Sequence, residues 1–123
     1  MKKYIMIVED DINISTVISI MLGRGGHDTK VFNNGTDSIV HYKTNNADII
    51  MVISDLSMPV MTGIDVVREI LAINPDAKIL IVTGSIKDNI KHFVKYPNVD
   101  ILSKPFGVVD LNNKIVEMLN KVV

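Results

Sequence analysis

The chain has no cysteine among its 123 residues. This excludes a disulfide scaffold and a thiolate metal site, and it says nothing about compartment. No apolar run approaches the ~18 residues of a membrane span. Met1, Lys2 and Lys3 lead straight into an apolar segment, without the cleavage pattern of a signal peptide. A cytoplasmic protein with no membrane partner is expected. An excess of one charge is also missing, because 13 Lys and Arg stand against 14 Asp and Glu for a formal charge of -1. A binder of nucleic acid needs a basic patch or stripe, so direct contact with nucleic acid is not expected and any DNA binding would lie in a partner. Repeats, linkers and low-complexity tracts are absent too. The length allows one domain, residues 1–123, with enough chain to bury a proper core.

What is present is an apolar fraction of 47% arranged in short runs. Runs bounded by turn residues alternate with segments of helical period, which argues for βαβ units and a parallel sheet covered on both faces. The expected class is α/β: a five-stranded parallel sheet, doubly wound in the flavodoxin-like manner, with five helices. The strands are predicted at Tyr4 to Val8, Thr29 to Phe32, Ile49 to Ser54, Ile79 to Thr83 and Val99 to Leu102. The first helix carries Ile14, Val17, Ile18 and Met21 on one stripe, and Gly23, Gly25 and Gly26 stop it. These glycines end a helix rather than precede one and lack the lysine of a P-loop, so they are not a phosphate loop. A second helix runs from near Asn34 to before Asn45, with Ile39 and Val40 inward. Thr62 can cap a third, with Ile64, Val67 and Leu71 as its stripe. The fourth, about Ile86 to Lys95, has only Ile90, Phe93 and Val94 as anchors. The fifth is periodic through Leu111, Ile115, Met118 and Val122.

In such sheets the ligand site lies outside the carboxyl ends of the strands, where strand order reverses. Those ends carry Glu9, Asp10 and Asp11 after the first strand, Asp55 after the third, Thr83 after the fourth and Lys104 after the fifth. A lone carboxylate at the end of a buried strand is a candidate reactive group. Three carboxylates brought within a few ångströms would repel, and one would hold its proton unless a cation sat between them. Mg²⁺ suits such a place, since it takes oxygen ligands, keeps several waters and is bound through one or two carboxylates plus a phosphate oxygen.

Four motifs in order resemble the receiver domain of two-component response regulators, over essentially the whole chain. They are the acidic pair Glu9 and Asp10, Asp55 followed by Met58 Pro59 Val60 Met61 Thr62 Gly63, then Thr83, and finally Lys104 Pro105 Phe106. Each alone is weak, whereas the four at this spacing are highly specific. The resemblance implies that Asp55 is the phosphoacceptor, a carboxylate nucleophile that forms an aspartyl phosphate. It further implies that Asp10 and Asp55 hold Mg²⁺ directly, that Glu9 holds metal-bound water, and that the backbone carbonyl of Ser57 adds a ligand. Asp11 reads as the N-cap of the first helix. Lys104 supplies positive charge to the phosphoryl group, and Thr83 reports its arrival. The implied partners are a sensor histidine kinase or a histidine phosphotransfer protein as donor, and a downstream protein target. A switch that modifies itself is expected, not a turnover enzyme.

The sequence departs from the family pattern in two places. Three positions before Lys104, where the family usually has Tyr or Phe, stands Ile101, which has no ring to expose. Tyr96 Pro97 Asn98 Val99 replaces a small Gly-containing turn. Other readings fit less well. A flavodoxin-type electron carrier needs a loop that welcomes phosphate where Glu9, Asp10 and Asp11 stand. A haloacid dehalogenase phosphatase needs a second Asp two residues after its nucleophile, and Ser57 stands there. A receiver-like binding module without phosphorylation has no reason to keep every reactive residue. His27, His41 and His92 lie far apart with no ligand partner at metal spacing, and are expected to be surface residues.

Overall fold

The computed structural model of the chain describes residues 3–84 and 96–121. Five strands form one parallel sheet: β1 (Tyr4–Val8), β2 (Thr29–Phe32), β3 (Ile49–Asp55), β4 (Ile79–Thr83) and β5 (Val99–Ser103), in the spatial order β2-β1-β3-β4-β5. Four α-helices lie among the described residues: α1 (Ile12–Arg24), α2 (Gly35–Asn45), α3 (Gly63–Ile73) and α4 (Val108–Asn120). A single 3-10 turn, Asn46–Asp48, leads from α2 into β3. The expected helix from Ile86 to Lys95, with Ile90, Phe93, Val94 and His92, lies outside the described residues, as does Val122.

Alternation along the strands splits the core in two. Met6, Val8, Val52, Ile79 and Ile81 face the side covered by α2 and α3, and pack with Ile39, Tyr42, Val66, Val67 and Ile70. Ile5, Ile7, Met51, Ile53, Leu80 and Val82 face α1 and α4, against Ile18, Leu22, Leu111, Ile115 and Met118. The central strands β1, β3 and β4 are buried on both faces and have no use for polar alternation, so they read as near-continuous apolar runs, whereas the edge strands β2 and β5 carry Lys30 and Asp100.

The helix ends follow local chemistry. Asp11 caps α1 by accepting from the backbone N–H of Asn13 at 2.9 Å and of Ile14 at 3.2 Å. Gly25 follows the last turn, and Gly26 takes the positive φ of 84° that an L side chain resists. Asn34 caps α2, and Thr62 and Asp65 form a reciprocal capping box on α3.

Two inward assignments are corrected. Val17 is 48% exposed and Val40 62% exposed. In α1 the buried line is Ser15, Ile18 and Leu22, and in α2 it is Gly35, Ser38, Ile39 and Tyr42. Both helices are rotated to let small polar residues approach the sheet, with Ser15 and Ser38 returning their hydroxyls to Ile12 O and Gly35 O. A hydroxyl satisfied within its own helix can be buried at little cost. His41 is also corrected, because it is half-buried between Tyr4 and Phe32. Its ring centroid lies 4.7 Å from that of Phe32, and Nε2 is bonded to the Tyr4 hydroxyl.

Candidate functional site

The order β2-β1-β3 reverses direction between β1 and β3, so a crevice opens there at the carboxyl ends. Strand parity decides which side chains meet in it. Asp55 ends β3 in the same parity as Met51 and Ile53, and Glu9 continues that of Ile5 and Ile7 one residue beyond β1. Lys104, just past β5, continues the parity of Leu102. All three therefore belong to the α1 and α4 side of the sheet. Thr83 and Ile101 share the opposite parity, that of Ile81.

Glu9 and Asp55 are buried, at 1% and 6% exposure, whereas Asp10 is exposed. Carboxylate oxygens of Glu9, Asp10 and Asp55 all lie within 4.8 Å of one another. The Lys104 ammonium stands 3.2 Å from Asp55 Oδ1 and 3.3 Å from Glu9 Oε1. Burial pushes the Glu9 carboxyl up to about 7, reinforced by its bond to Asp10 and by the charge of Asp55, while the Asp11 backbone N–H and Lys104 pull the other way. Burial lowers Lys104, but attraction to Asp55 and Glu9 outweighs it and the ammonium is held above its ordinary range.

The donor set is therefore oxygen only, partly buried, and electrostatically strained without a cation. That is the chemistry a hard divalent ion such as Mg²⁺ fits. Glu9, Asp10 and Asp55 could hold it together. Ser57 is exposed, two residues beyond Asp55 in the loop between β3 and α3, where its neighbours Leu56 and Met58 are buried. Asp11 is engaged as the α1 cap, as expected.

Thr83 closes β4 and is 4% exposed. Its carbonyl accepts the backbone N–H of Lys104 at 2.7 Å, which ties the ends of β4 and β5 together. Beside Lys104, an apolar groove of about 360 Å³ runs between α1 and the turn, lined by Ile14, Val17, Ile18 and Met21 opposite Pro105 and Phe106.

Two contributors were not identified as such from the sequence. Gly63 donates its N–H to Leu56 O at 3.0 Å, and a Cβ there would stand 2.0 Å from Asp55 O and 2.6 Å from Leu56 Cα. The first turn of α3 thus rests directly on the backbone of Asp55 and Leu56. The signal was present as the last letter of the turn after Asp55, without its physical reason. The other is Asn33, whose side-chain amide donates to Glu9 O at 2.8 Å and reaches Ser15 Oγ at 3.2 Å. An Asn after a strand is common, and nothing local marked it.

Comparison with known proteins agrees with this architecture. A sequence model of the response regulator receiver domain matches residues 5–116. The response regulator receiver protein CpdR of Brucella abortus (strain 2308) is 30% identical over 118 residues, which span 95% of this chain and 97% of that protein. A response regulator receiver domain protein from Clostridium thermocellum superposes with a TM-score of 0.89 at 28% identity, covering 96% of this chain and 94% of that one. The receiver domain of the sensor histidine kinase PA1611 from Pseudomonas aeruginosa PAO1 has a magnesium ion coordinated in its active site cleft. It shares the fold at a TM-score of 0.85 and 22% identity, covering 98% of this chain and 100% of that one.

Proposed function

The chain belongs to the response regulator receiver domain family, and from that premise we propose that it is a phosphorylation-dependent signalling switch with Asp55 as its phosphoacceptor. The observation that carries this reading is the placement of the Lys104 ammonium at 3.2 Å from Asp55 Oδ1 in a crevice that also gathers Glu9 and Asp10. The donor is a phosphohistidine on a sensor histidine kinase or a histidine phosphotransfer protein. An Asp55 carboxylate oxygen forms a bond to phosphorus while the P–N bond to the imidazole breaks, and that electron pair returns to the ring nitrogen, which takes up a proton.

Phosphoryl transfer passes through a loose transition state, so the protein contributes alignment and charge stabilisation rather than covalent assistance. Lys104 remains charged throughout, because its pKa is raised. Glu9, Asp10, Asp55 and the carbonyl of Ser57 are the groups that would hold Mg²⁺. That ion, when bound, supplies positive charge to the phosphoryl oxygens. A magnesium ion in the cleft of the PA1611 receiver supports this choice of cofactor. The apolar groove between α1 and Phe106 adjoins the crevice at Lys104 and is a surface on which the donor protein can rest.

Arrival of the phosphoryl group adds about -1.5 to -2 of charge and strong acceptor oxygens. The Thr83 hydroxyl is the reporter, since its carbonyl is already bonded to Lys104 N–H and its side chain shares a face with Ile101. An aliphatic Ile101 transmits by occupying or vacating volume, not by exposing a ring. The product stays on the protein, so the chain is a switch and not a turnover enzyme. Intact mass after treatment with acetyl phosphate and Mg²⁺ is expected to rise by one phosphate, and Asp55→Asn is expected to abolish the gain. Full labelling of that variant would sink the assignment.

A further inference from the structure

We infer that Asn33 is a positioning residue for the acidic pair, acting through the backbone of Glu9; the inference rests on the metal-site reading above. The β1–β2 ladder ends with Glu9 N–H donating to Phe32 O at 3.0 Å. Beyond that rung β2 is finished, and the carbonyl of Glu9 has no strand N–H opposite it. The side-chain amide of Asn33 takes the place of the missing rung, donating to Glu9 O at 2.8 Å. A carbonyl can only accept, so the nitrogen must face it, and the amide's orientation is fixed.

The same nitrogen lies 3.2 Å from Ser15 Oγ, which is buried at 2% exposure and donates to Ile12 O in the first turn of α1. One side chain therefore spans both boundaries of the segment that presents Asp10, the end of β1 on one side and the start of α1 on the other. Asp11 locks the segment internally, capping α1 with its carboxylate and donating its N–H to Glu9 Oε2 at 3.2 Å. Asp10 itself is exposed, so packing does not fix its carboxylate. Its position relative to Asp55 follows from this backbone clamp. Asn33 carries no charge and touches none of the three carboxylates in the hydrogen bonds described, so its removal changes geometry and leaves the charge of the site intact.

Groups that orient metal ligands from behind typically change metal affinity by about 10–100-fold when they are removed. Asn33→Ala is accordingly expected to weaken Mg²⁺ binding, read by calorimetry well below the melting temperature, by about 10-fold. The labelling rate of Asp55 with acetyl phosphate should need a correspondingly higher Mg²⁺ concentration for half its maximum, while the rate at saturating Mg²⁺ stays within about twofold of wild type. A residue of purely structural importance would lower the melting temperature without moving the Mg²⁺ midpoint of the folded protein. Should the alanine variant fail to fold, Asn33→Ser, whose hydroxyl is too short to span both partners, is measured in its place with the same expectation. A midpoint within about twofold of wild type in the variant that folds overturns the inference. Wild-type protein that binds no Mg²⁺ would instead overturn the metal-site reading itself.

Discussion

Replacing Glu9 by Gln removes a carboxyl whose proton affinity differs sharply between the folded and unfolded chain. In the metal-free fold it is held at about 7 against 4.5 in the open chain, first because it is buried and then because Asp10 and Asp55 crowd it. A group raised in this way binds more protons folded than unfolded between those two values, so its contribution to stability is complete below 4.5 and is lost as pH rises through about 7. At about 1.4 kcal/mol per pH unit the displacement corresponds to a ceiling of about 3.5 kcal/mol. The pull of Lys104 is already contained in the value of about 7 and is not subtracted again. Relaxation and water entry around a buried charge trim this ceiling, and we expect about 2 kcal/mol. Urea unfolding in EDTA, from about pH 4.5 to about pH 8, should show the variant gaining that much on wild type across the range. His41, whose burial holds its pKa below the ordinary value, titrates alike in both proteins and cancels in the difference. Millimolar Mg²⁺ should shrink the gap at the upper end, because a cation stabilises the ionised wild-type cluster and not the amide. Parallel pH profiles for the two proteins would refute the burial and crowding argument.

Gly63→Ala should cost about 3 kcal/mol or more in chemical denaturation, since its Cβ falls 2.0 Å from Asp55 O and 2.6 Å from Leu56 Cα, which are backbone atoms rather than a flexible side chain; a loss below about 1 kcal/mol would mean that the loop yields. Lys104→Met is expected to slow Asp55 labelling at least tenfold while Mg²⁺ affinity is kept or improved, because a positive charge leaves the cluster; unaltered labelling would remove Lys104 from the site. Ile39→Ala should destabilise by about 2–4 kcal/mol and Val40→Ala by less than about 0.5 kcal/mol, which tests the observed rotation of α2. Mg²⁺ should raise the melting temperature of wild type and much less that of Asp10→Asn, whereas Asp11→Ala should cost about 1 kcal/mol through the lost α1 cap and keep its Mg²⁺ response.

The strands, and the residues gathered at their carboxyl ends, were legible in the sequence. A strand buried on both faces reads as an apolar run, so β1 and β4 coincide with their predicted runs; the half-exposed edge strand β2 also keeps its predicted bounds, and β3 and β5 run one residue further, to Asp55 and Ser103. Because all strands are parallel, whatever follows each run is delivered to one rim, and Glu9, Asp10, Asp55 and Lys104 could be named together before any coordinate existed. Caps were equally legible at Asp11 and Thr62, because a cap is a bond within three residues, and the start of α2 was placed near Asn34, which the structure shows to be its cap. Helix rotation was not legible. The apolar stripe of a helix is broad, and the sheet chose lines through Ser15 and Ser38 that left Val17 and Val40 outside. The burial of His41 against Phe32, the reach of Asn33 across 24 residues to Glu9 O, and the contact of Gly63 with Asp55 O were likewise decided only when distant segments met. Local chemistry writes strand ends and caps into the chain, whereas a contact between remote segments depends on register and rotation, and those are set by packing.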